Sequence, residues 1–204
     1  MCIRDRVTPR AMLVATGLAF GTACAFALPL MIREGLWSFG LAALCVLFGV
    51  IYTGGPKPLG YAGLGELLVF IFFGPVAVMG TYFLQTAEVN CIVLLASLAP
   101  GFLSAAILMA NNLRDAIEDE ISGKRTLVVR FGPSFGKWSY GVLISMAFLV
   151  PIFLYLVHFP AKLIAASLIL LFAPFRKVFR SLEVLQETSL LLLLYTLFFC
   201  ILLW

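Results

Sequence analysis

Residues 111–132 read NNLRDAIEDEISGKRTLVVRFG. The first ten of them, Asn111 to Glu120, form the longest polar stretch in a chain of 204 residues that is 63% hydrophobic and 12% charged. They continue an apolar run, 89–110, with no glycine or proline at the junction, so a helix leaving hydrocarbon would carry straight on into water. The chain has three aspartates, Asp5, Asp115 and Asp119, and two of them stand here. If the helix persists, Asn111, Asp115 and Asp119 recur four residues apart and share one stripe. Carboxylates one turn apart repel each other, so the pattern asks for a positive charge between them. A hard divalent cation such as Mg²⁺, which takes one or two carboxylates plus substrate phosphates, answers that need. Gly123 then ends the helix, and Lys124, Arg125 and Thr126 follow. A lysine and an arginine beside a metal-carboxylate site suit a diphosphate, the arginine offering a two-pronged fork.

Outward from this stretch the chain is apolar nearly everywhere. Its charged fraction is half the roughly 25% of an ordinary soluble domain, which excludes a soluble enzyme, an extracellular disulfide scaffold and a disordered tail. The formal net charge of +4 is no sign of nucleic-acid binding in such a chain. Seven apolar runs are bordered by charged or turn-forming residues: 11–32, 36–53, 64–86, 89–110, 138–158, 161–175 and 190–204. Six have roughly the length of about 20 residues that a hydrocarbon core requires; the sixth is short enough to be re-entrant. Pro75, Pro100 and Pro151 fall inside runs, which membrane helices tolerate. With the N-terminus in the cytoplasm and seven crossings, all 14 basic residues except Arg33 and Lys162 lie on the inner side, as the positive-inside rule demands. That balance fails unless the sixth run crosses. The five cysteines show no CxxC spacing and read as small buried hydrophobes rather than metal ligands.

The same inner face carries a second cluster, Tyr52-Thr53-Gly54-Gly55-Pro56-Lys57-Pro58-Leu59-Gly60-Tyr61, followed by Gly63-Leu64-Gly65-Glu66, with Glu66 entering the membrane at the head of the third run. An acidic residue at that depth faces the interior of a bundle. The outer loops offer only Arg33, Glu34, Glu88, His158 and Lys162.

At these residues the sequence resembles the UbiA superfamily of membrane prenyltransferases. Residues 111–132 are similar to the family's second aspartate-rich motif. Residues 52–86, YTGGPKPLGYAGLGELLVFIFFGPVAVMGTYFLQT, and the end of the chain, where Leu182, Glu183 and Thr188 precede a last apolar helix, resemble its dihydroxynaphthoate branch. The resemblance implies an all-α bundle of nine membrane helices around a central cavity. It implies Mg²⁺ ions gripping the diphosphate of a polyprenyl donor, and attack of the resulting allylic cation on an aromatic acceptor. In that branch the acceptor is 1,4-dihydroxy-2-naphthoate, which loses its carboxyl group and gives demethylmenaquinone. Carried over by position, Asp115 and Asp119 become metal ligands and catalytic residues. Asn111, Asn112, Arg114, Lys124, Arg125 and Tyr52 become diphosphate-binding residues. Lys57 joins the catalytic set, and Glu66 orients the acceptor. The implied setting is the bacterial plasma membrane with the site facing the cytoplasm, and the implied partners are the two substrates and the lipid bilayer, with no nucleic acid. Relatives using another aromatic acceptor share this chemistry, and a small transporter subunit would share the hydropathy. One departure stands out: the family's first aspartate-rich motif has no counterpart, and residues 1–6 resemble nothing in it. The expectation is therefore seven helices of nine over 7–204, a foreign leader at 1–6, and no activity from this piece alone.

Overall fold

The computed structural model describes residues 8–56, 58–157 and 184–203. Their order is α1 (Pro9–Glu34), α2 (Leu36–Thr53), a 3₁₀ turn (Leu59–Ala62), α3 (Gly65–Ile71), a π-helical turn (Phe72–Val76), α4 (Ala77–Thr86), α5 (Cys91–Arg114), α6 (Ala116–Ile121), α7 (Leu127–Phe131), α8 (Pro133–Leu156) and α9 (Val184–Leu203). No strand occurs among the described residues. The architecture is an all-α polytopic membrane bundle.

Local chemistry sets the helix ends. Thr8 caps α1 by accepting the Ala11 N–H at 3.3 Å, with Pro9 in the first turn. Gly35, at φ +88°, stops it. Asn90 caps α5 by accepting the Ile92 N–H at 2.8 Å. Five spans are long and apolar enough to cross a membrane: Pro9–Glu34, Leu36–Thr53, Gly65–Thr86, Cys91–Arg114 and Pro133–Leu156. They match the first five runs of the sequence. The sixth run lies outside the described residues. The seventh is corrected at its start: α9 begins at Val184, not at 190. Hydropathy marks where a helix meets lipid, whereas the first turns of α9 carry Gln186, Glu187 and Thr188, the last of them buried. There Thr188 donates to the Val184 carbonyl at 2.7 Å and meets the Tyr140 hydroxyl of α8 at 2.9 Å.

Contacts divide the chain into two units, Met1–Leu47 and Phe48–Trp204, the division falling within α2. In the first, α1 has no buried residue, and Ser38 donates to the carbonyls of Met31 at 3.1 Å and Gly35 at 2.7 Å. The second holds the core. Here α5 packs most extensively on α8, through Leu103, Met109, Tyr140, Ile144 and Leu154, all essentially inaccessible. Its other side meets the α3–π–α4 span at a crossing of two glycines. A Cβ built on Gly74 would lie 2.8 Å from Gly101 Cα and 2.8 Å from the Ser97 carbonyl oxygen. Only glycine allows two helix backbones that close. The π turn holds Gly74 and Pro75 together, and a proline that removes a helical hydrogen bond is a common cause of such a local widening. The cysteines correct another expectation: Cys24, Cys91 and Cys200 are exposed and Cys45 half-buried. In a membrane the outer surface of a helix meets lipid, so an apolar thiol loses nothing by facing out.

Candidate functional site

The site grows from the end of α5. The helix does not run on unbroken: Asp115, at φ −96° and ψ 10°, kinks the chain between α5 and α6. The spacing nevertheless survives, because the Asp115 N–H still donates to Asn111 O at 3.0 Å and the Asp119 N–H to Asp115 O at 2.8 Å. The residue behind the kink is Arg114, whose guanidinium folds back on its neighbour. Its Nε donates to Asp115 Oδ1 at 2.6 Å, and its Nη2 donates to Asp115 Oδ2 at 2.8 Å and Asn111 Oδ1 at 2.6 Å. The bond from Arg114 holds the Asp115 carboxyl below its ordinary range; partial burial opposes this, and the charges of Arg114 and Lys124 reinforce it.

Asp119 is in a different setting. It is 7% exposed, its Oδ1 accepts from Lys124 Nζ at 3.1 Å, and its Oδ2 is buried with no hydrogen-bond partner among the described residues. The chain turns to make this pair: Ser122 Oγ donates to Asp119 O at 3.0 Å, Gly123 sits at φ +77°, and the Lys124 N–H donates to the same Asp119 O at 2.8 Å. Beyond it, Gly123, Lys124, Arg125, Val129, Arg130 and Glu120 line an open cleft of about 610 Å³. Asp115 and Asp119 are not in its walls, so Lys124 is the residue that joins the carboxylates to the cleft.

A second polar center lies one helix face away. Glu66, 8% exposed in the first turn of α3, accepts from Asn112 Nδ2 through Oε1 at 2.9 Å. Its Oε2 is buried and has no partner among the described residues. The Tyr52 hydroxyl is close by, 3.2 Å from a Cβ built on Gly65. The two adjacent asparagines therefore part company, Asn111 serving Arg114 and Asn112 serving Glu66. Lys57 lies outside the described residues.

One residue of this face escaped the sequence reading as a site residue, and another stood there only as a member of the glycine-rich cluster. Arg130 figured there only as an inner-side charge, yet its Nη2 donates to Ala62 O at 2.8 Å and its Nε to Arg125 O at 3.1 Å. Tyr61 accepts the Arg125 N–H at 3.0 Å through its carbonyl, and its ring centroid lies 6.0 Å from Lys124 Nζ. The one available hint was the glycine-rich run around Gly63, which adopts φ +77° against the Arg125 carbonyl.

Asn111, Asp115 and Asp119 carry hard oxygens at four-residue spacing, those of Asn111 and Asp115 being held by Arg114 here, and Asp119 Oδ2 is a buried acceptor with no donor among the described residues. Both features fit a divalent cation that fills its remaining positions with water or phosphate oxygens. Among the described residues no group of three or more His, Cys, Asp or Glu side chains could hold a metal unaided.

Comparison with known proteins gives the family. The chain is 44% identical over 142 residues to a Mycobacterium tuberculosis protein named 1,4-dihydroxy-2-naphthoate octaprenyltransferase, covering 69% of this chain and 48% of that one. It is 43% identical over 108 residues to a Haemophilus influenzae protein of the same name, covering 53% and 35%. A Synechocystis protein named 2-carboxy-1,4-naphthoquinone phytyltransferase is 34% identical over 97 residues, 48% of this chain and 32% of that one. The chain thus spans half or less of the length of these relatives. No solved structure matches it significantly. The UbiA prenyltransferase family matches residues 2–197. The chain is an integral membrane protein, and it belongs to the UbiA prenyltransferase family.

Proposed function

We propose that the chain carries the substrate face of a Mg²⁺-dependent prenyltransferase that moves a polyprenyl group from its diphosphate to 1,4-dihydroxy-2-naphthoate. The acceptor's carboxyl group leaves as CO₂, and demethylmenaquinone results. The observation that carries the reading is the buried Asp119, with one oxygen on Lys124 and the other unpartnered, at the edge of a cleft lined by Lys124 and Arg125. The names of the relatives supply the acceptor.

In this reading Asp115 and Asp119, with Asn111, hold the ion. Bound there, it supplies charge neutralisation for the departing diphosphate. Lys124 and Arg125 take the diphosphate oxygens, Lys124 as a point charge and Arg125 as a fork. Arg114 is the countercharge that keeps Asp115 ionised, and it joins Lys57 and Tyr52 around the diphosphate. These cations stabilise negative charge as it develops when the allylic C–O bond breaks, the electrostatic share of catalysis. Glu66, fixed by Asn112, orients a hydroxyl of the acceptor, whose ring carbon forms the new bond. The positive-inside balance of the sequence supports a cytoplasmic placement of this face, and the bacterial relatives support a plasma-membrane setting. Charged residues of the described spans sit near their ends, as in Glu66, Arg114, Lys137 and Glu187, where a transporter would carry them near mid-span.

The test is an assay of membranes carrying the full-length gene that encodes this chain, given a polyprenyl diphosphate and carboxyl-labelled 1,4-dihydroxy-2-naphthoate. The expected result is Mg²⁺-dependent release of labelled CO₂, lost in Asp115→Ala and in Asp119→Ala. Full activity in both variants, or conversion of 4-hydroxybenzoate in preference, would overturn the reading.

A further inference from the structure

The Leu59–Ala62 turn is joined to the segment around Arg125 and Arg130 by two hydrogen bonds, and a third, within that segment, braces the arginine that makes one of them. The Arg125 N–H donates to Tyr61 O at 3.0 Å, Arg130 Nη2 to Ala62 O at 2.8 Å, and Arg130 Nε to Arg125 O at 3.1 Å. Gly63 completes the contact. At φ +77° it lies so near that an added Cβ would be 3.0 Å from Arg125 O and 3.5 Å from Arg130 Cζ. One edge of the Arg130 guanidinium is thus spent on two backbone carbonyls, although the residue lines the same cleft as Lys124 and Arg125.

We propose that Arg130 is a positioning residue: it locks the Leu59–Ala62 turn to the 123–126 loop and thereby sets Lys124 and Arg125 for their anion, without itself binding that anion. The inference rests on the diphosphate reading for the identity of the anion only. What matters at position 130 is the planar fork that reaches two carbonyls at once, not the positive charge. A lysine keeps the charge and loses the fork. The 3₁₀ turn also abuts Tyr52, since a Cβ on Gly60 would meet Tyr52 Cζ at 3.2 Å. The clamp therefore ties the 123–126 loop to a turn packed on Tyr52, whose hydroxyl lies beside Gly65 and Glu66.

The test uses the whole chain in lipid nanodiscs, with Arg130→Lys, Arg130→Gln and, as an attack on the same contact from the other side, Gly63→Ala. Amide hydrogen exchange at Arg125 reads the clamp, and farnesyl diphosphate with Mg²⁺ reads the site. All three variants are expected to deprotect the Arg125 amide and to weaken farnesyl diphosphate binding about tenfold, the scale of ordering one loop on binding. Arg130→Lys binding like the unaltered chain while Arg130→Gln fails would make the charge decisive and overturn the clamp. Unchanged exchange at Arg125 in all three would overturn it as well. If the unaltered chain binds no farnesyl diphosphate while the variants still deprotect Arg125, the diphosphate reading falls and the lock between the loops stands.

Discussion

Gly101→Ala adds a single methyl group where two helix backbones cross closely. Built on the existing backbone, that Cβ lies 2.9 Å from the Phe70 carbonyl oxygen, 3.0 Å from Phe70 Cδ2 and 3.2 Å from Gly74 Cα. Two of these three neighbours are backbone atoms, so no change of rotamer makes room. The α3 and α5 helices must part, and the Glu66–Asn112 bond farther along the same seam is stretched with them. Overpacking of this kind costs about 1–3 kcal/mol. Alanine also gains up to about 1 kcal/mol over glycine in helix propensity, which masks part of the effect. Gly141→Ala isolates that gain, since Gly141 is within α8 and nothing lies within 4 Å of its added Cβ. The difference between the two variants is then the steric cost alone, about 1–3 kcal/mol in favour of Gly141→Ala. Reversible unfolding in mixed micelles, titrated with sodium dodecyl sulfate and followed by helicity, measures it. A difference below about 0.5 kcal/mol, less than a single methylene's worth of burial, would refute the close seam.

Three further outcomes are expected. Among the described residues, Asn112→Leu takes the one donor from Glu66 Oε1 while Oε2 already has none. It should cost about 1–3 kcal/mol in the same titration, with part of the loss recovered in the Asn112→Leu, Glu66→Leu double variant. Thr188→Val removes the partner of the Tyr140 hydroxyl between α8 and α9 and should cost about 0.6–1.5 kcal/mol. Asp115 gives a pH dependence: its folded carboxyl titrates below the ordinary value because Arg114 bonds it. Its contribution is therefore present above the unfolded value of about 3.9 and fades as pH falls through the depressed folded value. Arg114→Leu should accordingly be less stable than the unaltered chain at neutral pH, and the two should converge in acid unfolding followed by circular dichroism.

The spans were readable because hydropathy and charge asymmetry act over whole runs. Glu66 was readable because an acid at a membrane edge has few tolerable places to point. Gly123 was readable as a stop. The kink at Asp115 was not, since it accompanies one arginine folding onto its own neighbour and adjacent residues in a helix ordinarily point apart. The divergence of Asn111 and Asn112 follows from the same 100° step between neighbours, but which partner each meets depends on packing that one sequence does not display. Arg130 was hidden by its charge: on an inner loop a cation already has a reason to be there, and only the carbonyls of Ala62 and Arg125 reveal another.

Gly101 and Asn112 stand eleven positions apart on α5, about three helical turns, and both face α3 and its π-helical continuation. Across from them Glu66, Phe70 and Gly74 step by four. The glycine crossing thus acts as a phase lock. It fixes the rotation of α5 about its own axis, and so decides which side chain arrives opposite the Glu66 carboxyl three turns later. Deleting one residue between 102 and 111 would rotate everything beyond by about 100° and deliver the apolar Leu113 to that carboxyl. Along this stretch the number of residues is a stricter requirement than most of their identities.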